Sequence, residues 1–274
     1  MTDSLIQNLK LKTQNLTDWH CHILPGIDDG PATMDESIEM AKGLRLAGYT
    51  TIYCTPHLVR GSFEADNAMV TATLAALQAE LVQQRIGLQL LPGREYYLDE
   101  YLIEYLKDPL PLGDTKYILI EIPNHMPVPF IKETCYRIKC AGFVPMIAHP
   151  ERCMHFAVQS QKPAGNLDRI LGLFNGSNSK LKTENSIFEE ASLSGYLKEI
   201  GCRFQGNLGS FVGRYGEVVQ TSAEHLRDNG LYTYFGTDAH SATGYSHKFP
   251  IQNEYSPIVN IRAHSGQKKV LGSR

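Results

Sequence analysis

Apolar, strand-like runs alternate with helical patterns along this chain, and one run after another ends in an imidazole or a carboxylate. Strands are predicted at residues 17–23, 50–57, 88–97, 117–122, 143–149, 202–208 and 231–238, and helices at 34–48, 65–85, 129–141, 187–200 and 216–229. In the first helix Met34, Ile38, Ala41 and Leu44 or Leu46 share one face, and Gly48 is a natural stop. Pro92-Gly93 should bend the third strand. The run Ile118-Leu119-Ile120 is nearly continuous in apolar residues, as in a parallel strand covered on both faces. Repeated β-then-α units favour a parallel sheet with right-handed crossovers, and seven of them favour a barrel over an open sheet.

The expected architecture is therefore α/β, a distorted TIM-like (β/α)7 barrel forming one domain over residues 1–274. Two segments fit it badly. Residues 153–190 open with a polar, irregular stretch and read as an inserted loop or lobe, and residues 241–274 read as an atypical tail of weak periodicity. A content of 42% hydrophobic residues is enough for one large core. A net charge of -3 argues against nucleic acid as a partner. The N-terminus lacks a basic stretch followed by an apolar one, and no apolar run approaches the roughly 18 residues of a membrane span. The expectation is a cytoplasmic protein with reduced thiols and no membrane insertion, in which Cys21 and Cys54 are small buried hydrophobes.

In a parallel barrel the active site forms at the C-terminal strand ends. His20 and His22 lie near the end of strand one, with Asp28 and Asp29 in the Gly-rich turn that follows. His57 ends strand two, Glu95 lies near the end of strand three and Glu121 near that of strand four. His149 ends strand five, and Asp238 with His240 ends strand seven. These are ligand types that suit Zn, Mn or Fe. A lone His-x-His is as easily a solvated pair, and a lone strand Glu is more often a satisfied partner than a ligand. A charge inside the apolar run around Glu121, however, needs an explanation. His125, His155, His225, His247 and His264 lie off the pattern and read as surface or loop residues. Arg152 falls just past strand five, where a guanidinium could face a bound oxyanion, with a surface ion pair as the plainer alternative.

The motifs Asp18-Trp19-His20-Cys21-His22-Ile23-Leu24-Pro25-Gly26-Ile27-Asp28-Asp29-Gly30-Pro31, Thr55-Pro56-His57, Leu91-Pro92-Gly93-Arg94-Glu95, His149-Pro150-Glu151-Arg152 and Thr237-Asp238-Ala239-His240 occur in this order. Together they resemble the polymerase-and-histidinol-phosphatase (PHP) superfamily, and within it the bacterial manganese-dependent tyrosine-protein phosphatases of capsule and exopolysaccharide operons. The resemblance implies a PHP-type barrel holding three divalent ions, manganese first, with iron, cobalt or zinc able to take the same ligands. It implies His20, His22, Glu95 and Asp238 around one ion. Glu95, Glu121 and His149 would surround the second, and Asp29, His57 and His240 the third. Arg152 would grip phosphate and Arg60 would be a further substrate contact. Arg152, Asp238 and His240 are the residues expected to act in catalysis, with metal-activated hydroxide attacking phosphorus and no phosphocysteine needed.

The implied substrate is the phosphotyrosine tail of a membrane-associated polysaccharide-assembly tyrosine autokinase. The alternatives are another metal-dependent phosphoesterase, such as a histidinol-phosphate or nucleotide phosphatase, and a catalytically weak regulatory binding protein. The chain departs from the family at residues 241–246, where an arginine is usual and none occurs, and in the length of 153–190.

Overall fold

The structure, a computed structural model, describes residues 16–157 and 192–242. Most of the expected insertion, the start of the helix expected at 187–200, and the tail from residue 243 onward lie outside the described residues. Strands β1 (Leu16–Cys21), β2 (Tyr49–Cys54) and β4 (Gln89–Pro92) form one parallel set. Strands β3 (His57–Leu58), β5 (Glu95–Tyr97), β6 (Tyr117–Glu121), β7 (Val144–Ala148), β8 (Arg203–Asn207) and β9 (Tyr234–Gly236) form a second.

The two sets are one curled sheet. β2 runs into β3 across Thr55-Pro56, and β4 into β5 across Gly93-Arg94. The ladder continues through both breaks, since Thr55 N–H donates to the Cys21 carbonyl (2.9 Å) and Glu95 N–H to that of Pro56 (3.1 Å). A parallel bridge between Cys21 and Ala239 joins the first strand to the residues beyond the last. Nine strand segments thus make seven staves, and the predicted runs become staves in the predicted order. The bend expected at Pro92-Gly93 is a break one residue further on.

Helices α1 (Met34–Leu46), α2 (Asn67–Gln83), α3 (Leu102–Tyr105), α4 (Val128–Cys140), α5 (Leu193–Glu199), α6 (Leu208–Phe211) and α7 (Glu217–Asp228) occupy the connections. α1 starts at a capping box in which Thr33 and Glu36 satisfy each other's backbone N–H groups. It buries Ile38, Ala41 and Leu44, with Met40 as well, whereas Leu46 at its last position is exposed. The short helices α3 and α6 are too brief to show helical periodicity and escape a reading of the sequence.

Alternation along the staves divides the core. Ile118, Ile120 and Ile147 join the large cluster, whereas Leu119, Met146 and Tyr53 join a smaller one with Leu112, Trp19 and Tyr234. Successive side chains leave opposite faces of a strand, so Glu121 shares the face of Leu119. In the smaller cluster Trp19 stacks on Tyr234 (centroids 3.8 Å apart) and Tyr53 (4.5 Å), giving the barrel an aromatic plug.

Closure between first and last staves rests on the fully buried Asp18. Its Oδ1 accepts from the N–H groups of Thr237 (2.9 Å) and His20 (3.2 Å), and its Oδ2 from the Thr237 hydroxyl (2.5 Å). Burial pushes this carboxyl up to about 6, with those hydrogen bonds pulling the other way. Gly236 then approaches β1 so closely that a Cβ would lie 2.6 Å from His20 Cβ and 2.7 Å from its backbone nitrogen. Gly236→Ala should cost about 1–3 kcal/mol by overpacking. Gly87→Ala, where a Cβ meets nothing nearer than 3.6 Å, should be close to neutral. Equilibrium denaturation of the two variants checks the difference; equal stabilities would mean that the seam is looser than described.

Candidate metal centre

The strand ends meet at one mouth, and nine side chains converge there: His20, His22, Asp29, His57, Glu95, Glu121, His149, Asp238 and His240. All nine expected residues are present in the cluster. Their geometric groups are His22, Asp29, His57 and His240; His20, Glu95, His149 and Asp238; and His57, Glu95 and Glu121, with ligand atoms in each within 4.8 Å of one another. The divisions differ from those the resemblance implies because His22, His57 and His149 lie between neighbouring groups.

The donors are pre-oriented. Gln205 donates its amide to the Gly206 carbonyl (2.7 Å), which leaves its Oε1 to accept from His20 Nδ1–H (2.8 Å). His22 Nδ1–H donates to Asp28 Oδ2 (2.7 Å), and that oxygen also accepts from His57 N–H (2.9 Å). Both Nε2 atoms thereby face inward, 3.0 Å apart, and each has a lone pair to give when its imidazole is neutral. Glu95 Oε2 is 3.1 Å from His20 Nε2 and 3.3 Å from His22 Nε2, and Asp238 Oδ1 is 3.3 and 3.4 Å from the same two atoms.

Four such groups this close in a buried space need positive charge between them, supplied by protons on the imidazoles or by a metal ion that displaces those protons. A tetrahedral shell with bonds of about 2.0–2.2 Å has edges of roughly 3.3–3.6 Å, close to these separations. Glu95 Oε2 and His57 Nδ1 are moreover buried without a hydrogen-bond partner, 3.1 Å from each other. The residues therefore fit a metal ion. Glu95 can serve two positions, since its other oxygen lies 3.1 Å from His149 Nε2. On the outer side, His240 Nε2 lies 3.2 Å from Asp29 Oδ1 and His57 Nε2 3.8 Å from it. The His240 Nδ1–H donates to the Asp238 carbonyl (3.0 Å), fixing which nitrogen faces inward.

The titration behaviour reflects the crowding. Burial opposes charge on His20, but Glu95 and Asp238 reverse this and hold it up to about 9. Burial lowers His57, and burial with the Arg152 charge lowers His149, which favours the neutral imidazole a ligand requires. Burial, followed by the charge of Glu95, pushes Glu121 up to about 7. His149 and Asp238 are also two of the three non-glycine residues with positive φ among the described residues, at 29° and 50°. Strained backbone of this kind concentrates at functional sites.

Arg152 stands at the mouth, 31% exposed, its Nη1 donating to Asp238 Oδ2 (2.5 Å). Arg60 lies further out, stacked over Tyr101 with its guanidinium carbon 4.0 Å from the ring centroid. Of the off-pattern histidines, His125 and His225 are exposed, and His155 bonds the Met126 carbonyl; His247 and His264 lie outside the described residues. Cys54 and Arg60 have the Cys-x5-Arg spacing of cysteine-dependent phosphatases. Cys54, however, is fully buried in β2 and its thiol is pushed up by burial, so it is no nucleophile.

Several contributors escaped the sequence reading. Gln205 and Asn207 occupy alternate positions on β8, and Asn207 donates to Asp238 Oδ2 (2.9 Å). Their period-two spacing, polar within a buried strand, was the available signal. Glu151 is buried and accepts from Asn207 N–H (2.8 Å), Ser210 Oγ (2.8 Å) and the Tyr232 hydroxyl (2.9 Å), which pins the turn carrying Arg152. Arg94, also buried, donates to the carbonyls of Ala65 (2.6 Å) and His57 (3.1 Å).

A parallel barrel whose strand ends carry clustered imidazoles and carboxylates defines a metallohydrolase-like protein. Residues 16–168 match the family described as "Capsular polysaccharide synthesis, CpsB/CapC", and the chain belongs to that family. It is 31% identical to the tyrosine-protein phosphatase YwqE of Bacillus subtilis over 82% of this chain and 78% of that protein. It is 28% identical to the tyrosine-protein phosphatase CpsB of Streptococcus agalactiae over 64% of this chain and 72% of that one. Among solved structures it is similar to one from a study of YwqE from Bacillus subtilis and CpsB from Streptococcus pneumoniae, described as unique metal-dependent tyrosine phosphatases. The TM-score is 0.66 at 31% identity, covering 85% of this chain and 83% of that one.

Because the cluster exists only in the folded chain, Mn(II) at about a hundred times its dissociation constant should stabilise the fold by about 2.7 kcal/mol. That corresponds to a melting temperature higher by roughly 5–10 °C. Glu95→Gln should remove most of the rise. Thermal melts with Mn(II) and with chelator test this; identical curves would exclude binding at the cluster.

Proposed function

We propose that this chain is a metal-dependent protein-tyrosine phosphatase, a phosphoric monoester hydrolase. The observation that carries the reading is Arg152 bound to Asp238: a guanidinium held at the edge of the donor cluster, where a phosphoryl group would meet both. His20, His22, Glu95 and Asp238 would hold one divalent ion, Glu95, Glu121 and His149 a second, and Asp29, His57 and His240 a third, with manganese the favoured metal. Ions in these positions supply activation of water and neutralisation of phosphoryl charge.

The protein's own groups do the rest. Gln205 and Asp28 fix the ring orientations of His20 and His22, so the donors need no rearrangement when substrate arrives. Asp238 divides its two oxygens between the cluster and Arg152, which sets the position of the guanidinium relative to the ions. Arg152 would neutralise the oxyanion charge that grows as the tyrosine oxygen leaves. Hydrolysis yields tyrosine and inorganic phosphate with consumption of one water. Arg60, stacked over Tyr101, would be a further contact for peptide flanking the phosphotyrosine.

The proposed substrate is the phosphotyrosine tail of a membrane-associated polysaccharide-assembly kinase, met in the cytoplasm. Among the described residues no helix is long and apolar enough to cross a membrane.

Purified protein with a phosphotyrosine peptide should turn over with Mn(II) and stop with chelator. Arg152→Ala should reduce kcat by about 10²–10³, as for other oxyanion donors. His149→Ala should lose more than the roughly 10–100-fold typical of outer partners of a metal site. Turnover that persists unchanged in His149→Ala would refute the assigned site. In the same assay Cys54→Ala should stay within about threefold of the parent per folded molecule, whereas a phosphocysteine route would abolish it.

A further inference from the structure

An arginine on a short turn grips an anion well only if its long side chain is held before the anion arrives. Arg152 sits on such a turn, Pro150–Arg152, and four contacts close a ring around it. Arg152 Nη1 donates to Asp238 Oδ2 (2.5 Å), and Asn207 Nδ2 donates to the same oxygen (2.9 Å). Asn207 Nδ2 also donates to the Tyr215 hydroxyl oxygen (3.1 Å). The Tyr215 ring completes the circuit, its centroid 4.6 Å from the Arg152 guanidinium carbon. Asn207 is fully buried and is locked in turn, its Oδ1 accepting from Gly209 N–H (2.8 Å). Tyr215 is half-buried, with one side against the guanidinium.

The ring engages Nη1 and leaves the fork of Nε and Nη2 to meet an oxyanion bidentately. It also registers the guanidinium against the cluster, because Asp238 Oδ1 faces His20 and His22 while Oδ2 anchors Arg152. We infer that Tyr215, acting with Asn207, is a positioning residue that fixes Arg152, so that this one arginine serves as the phosphate clamp in a chain with no arginine at residues 241–246. The inference rests on the phosphatase reading above.

The test uses the full chain loaded with Mn(II), as wild type, Tyr215→Leu, Tyr215→Phe and Arg152→Ala. It measures inorganic phosphate binding by calorimetry, bound metal by elemental analysis, and kcat and KM on a phosphotyrosine peptide. Tyr215→Leu should weaken phosphate binding about three- to thirtyfold, the range of a cation–π contact, and raise KM more than it lowers kcat. Tyr215→Phe keeps the ring under the guanidinium and should restore most of the affinity. Metal content should be the same in all four. Phosphate binding by Tyr215→Leu equal to wild type, with Arg152→Ala impaired, would overturn the inference. A loss of metal in Tyr215→Leu would do so too, since its effect would then be that of a damaged centre. A wild type that binds phosphate and cleaves no phosphotyrosine peptide would refute the substrate reading alone, and the calorimetric comparison would still decide the role of Tyr215.

Discussion

The seam between the first and last staves is the constraint on which the centre depends. Only a short ladder joins them, and Asp18 reinforces it by taking the Thr237 N–H and hydroxyl together with the N–H of His20. A carboxylate buried this completely is tolerated because all its bonds come from the two strands it joins. Those strands deliver His20, His22, Asp238 and His240. Opening the seam would separate four of the nine converging side chains at once.

Orientation of the donors follows from the same closure. Gln205 on β8 fixes the ring of His20 on β1, and Asp28 fixes the ring of His22 while also accepting from the backbone of His57. The imidazole of His20 is thus aimed from across the barrel and that of His22 from the turn that follows its own strand. Packing holds the histidines and carboxylates crowded around Glu95, and a divalent cation that displaces the imidazole protons would tie the same groups together.

Much of this was legible before the fold was known, for definite reasons. Staves reveal themselves as apolar runs because both faces of a barrel strand are covered, and the site reveals itself because charged residues terminate those runs. Glu121 is the plainest case: it lies one residue after Ile120, on the inward face shared with Leu119. The amide partners were harder to see. Gln205 and Asn207 have no chemical signature of their own, and their roles appear only when β8 is placed between β7 and β9. The division of the nine donors among ions is not a sequence property at all, because His57 lies within reach of both Glu95 and Asp29.

The strained backbone ties these levels together. His149 and Asp238 each end a stave with positive φ, a conformation costing of order 1–3 kcal/mol for a non-glycine residue. Asp238 and His240 are two residues apart, so they would share a face even on an extended strand, and both join the converging donors, while the turn after His149 carries Arg152 to Asp238. The turn after β7 is then braced by Glu151, which binds the end of β8, the helix that follows it and Tyr232. The two strained residues, His149 and Asp238, both belong to the converging donors. Neighbouring staves can supply the bracing that holds them only after the barrel has closed.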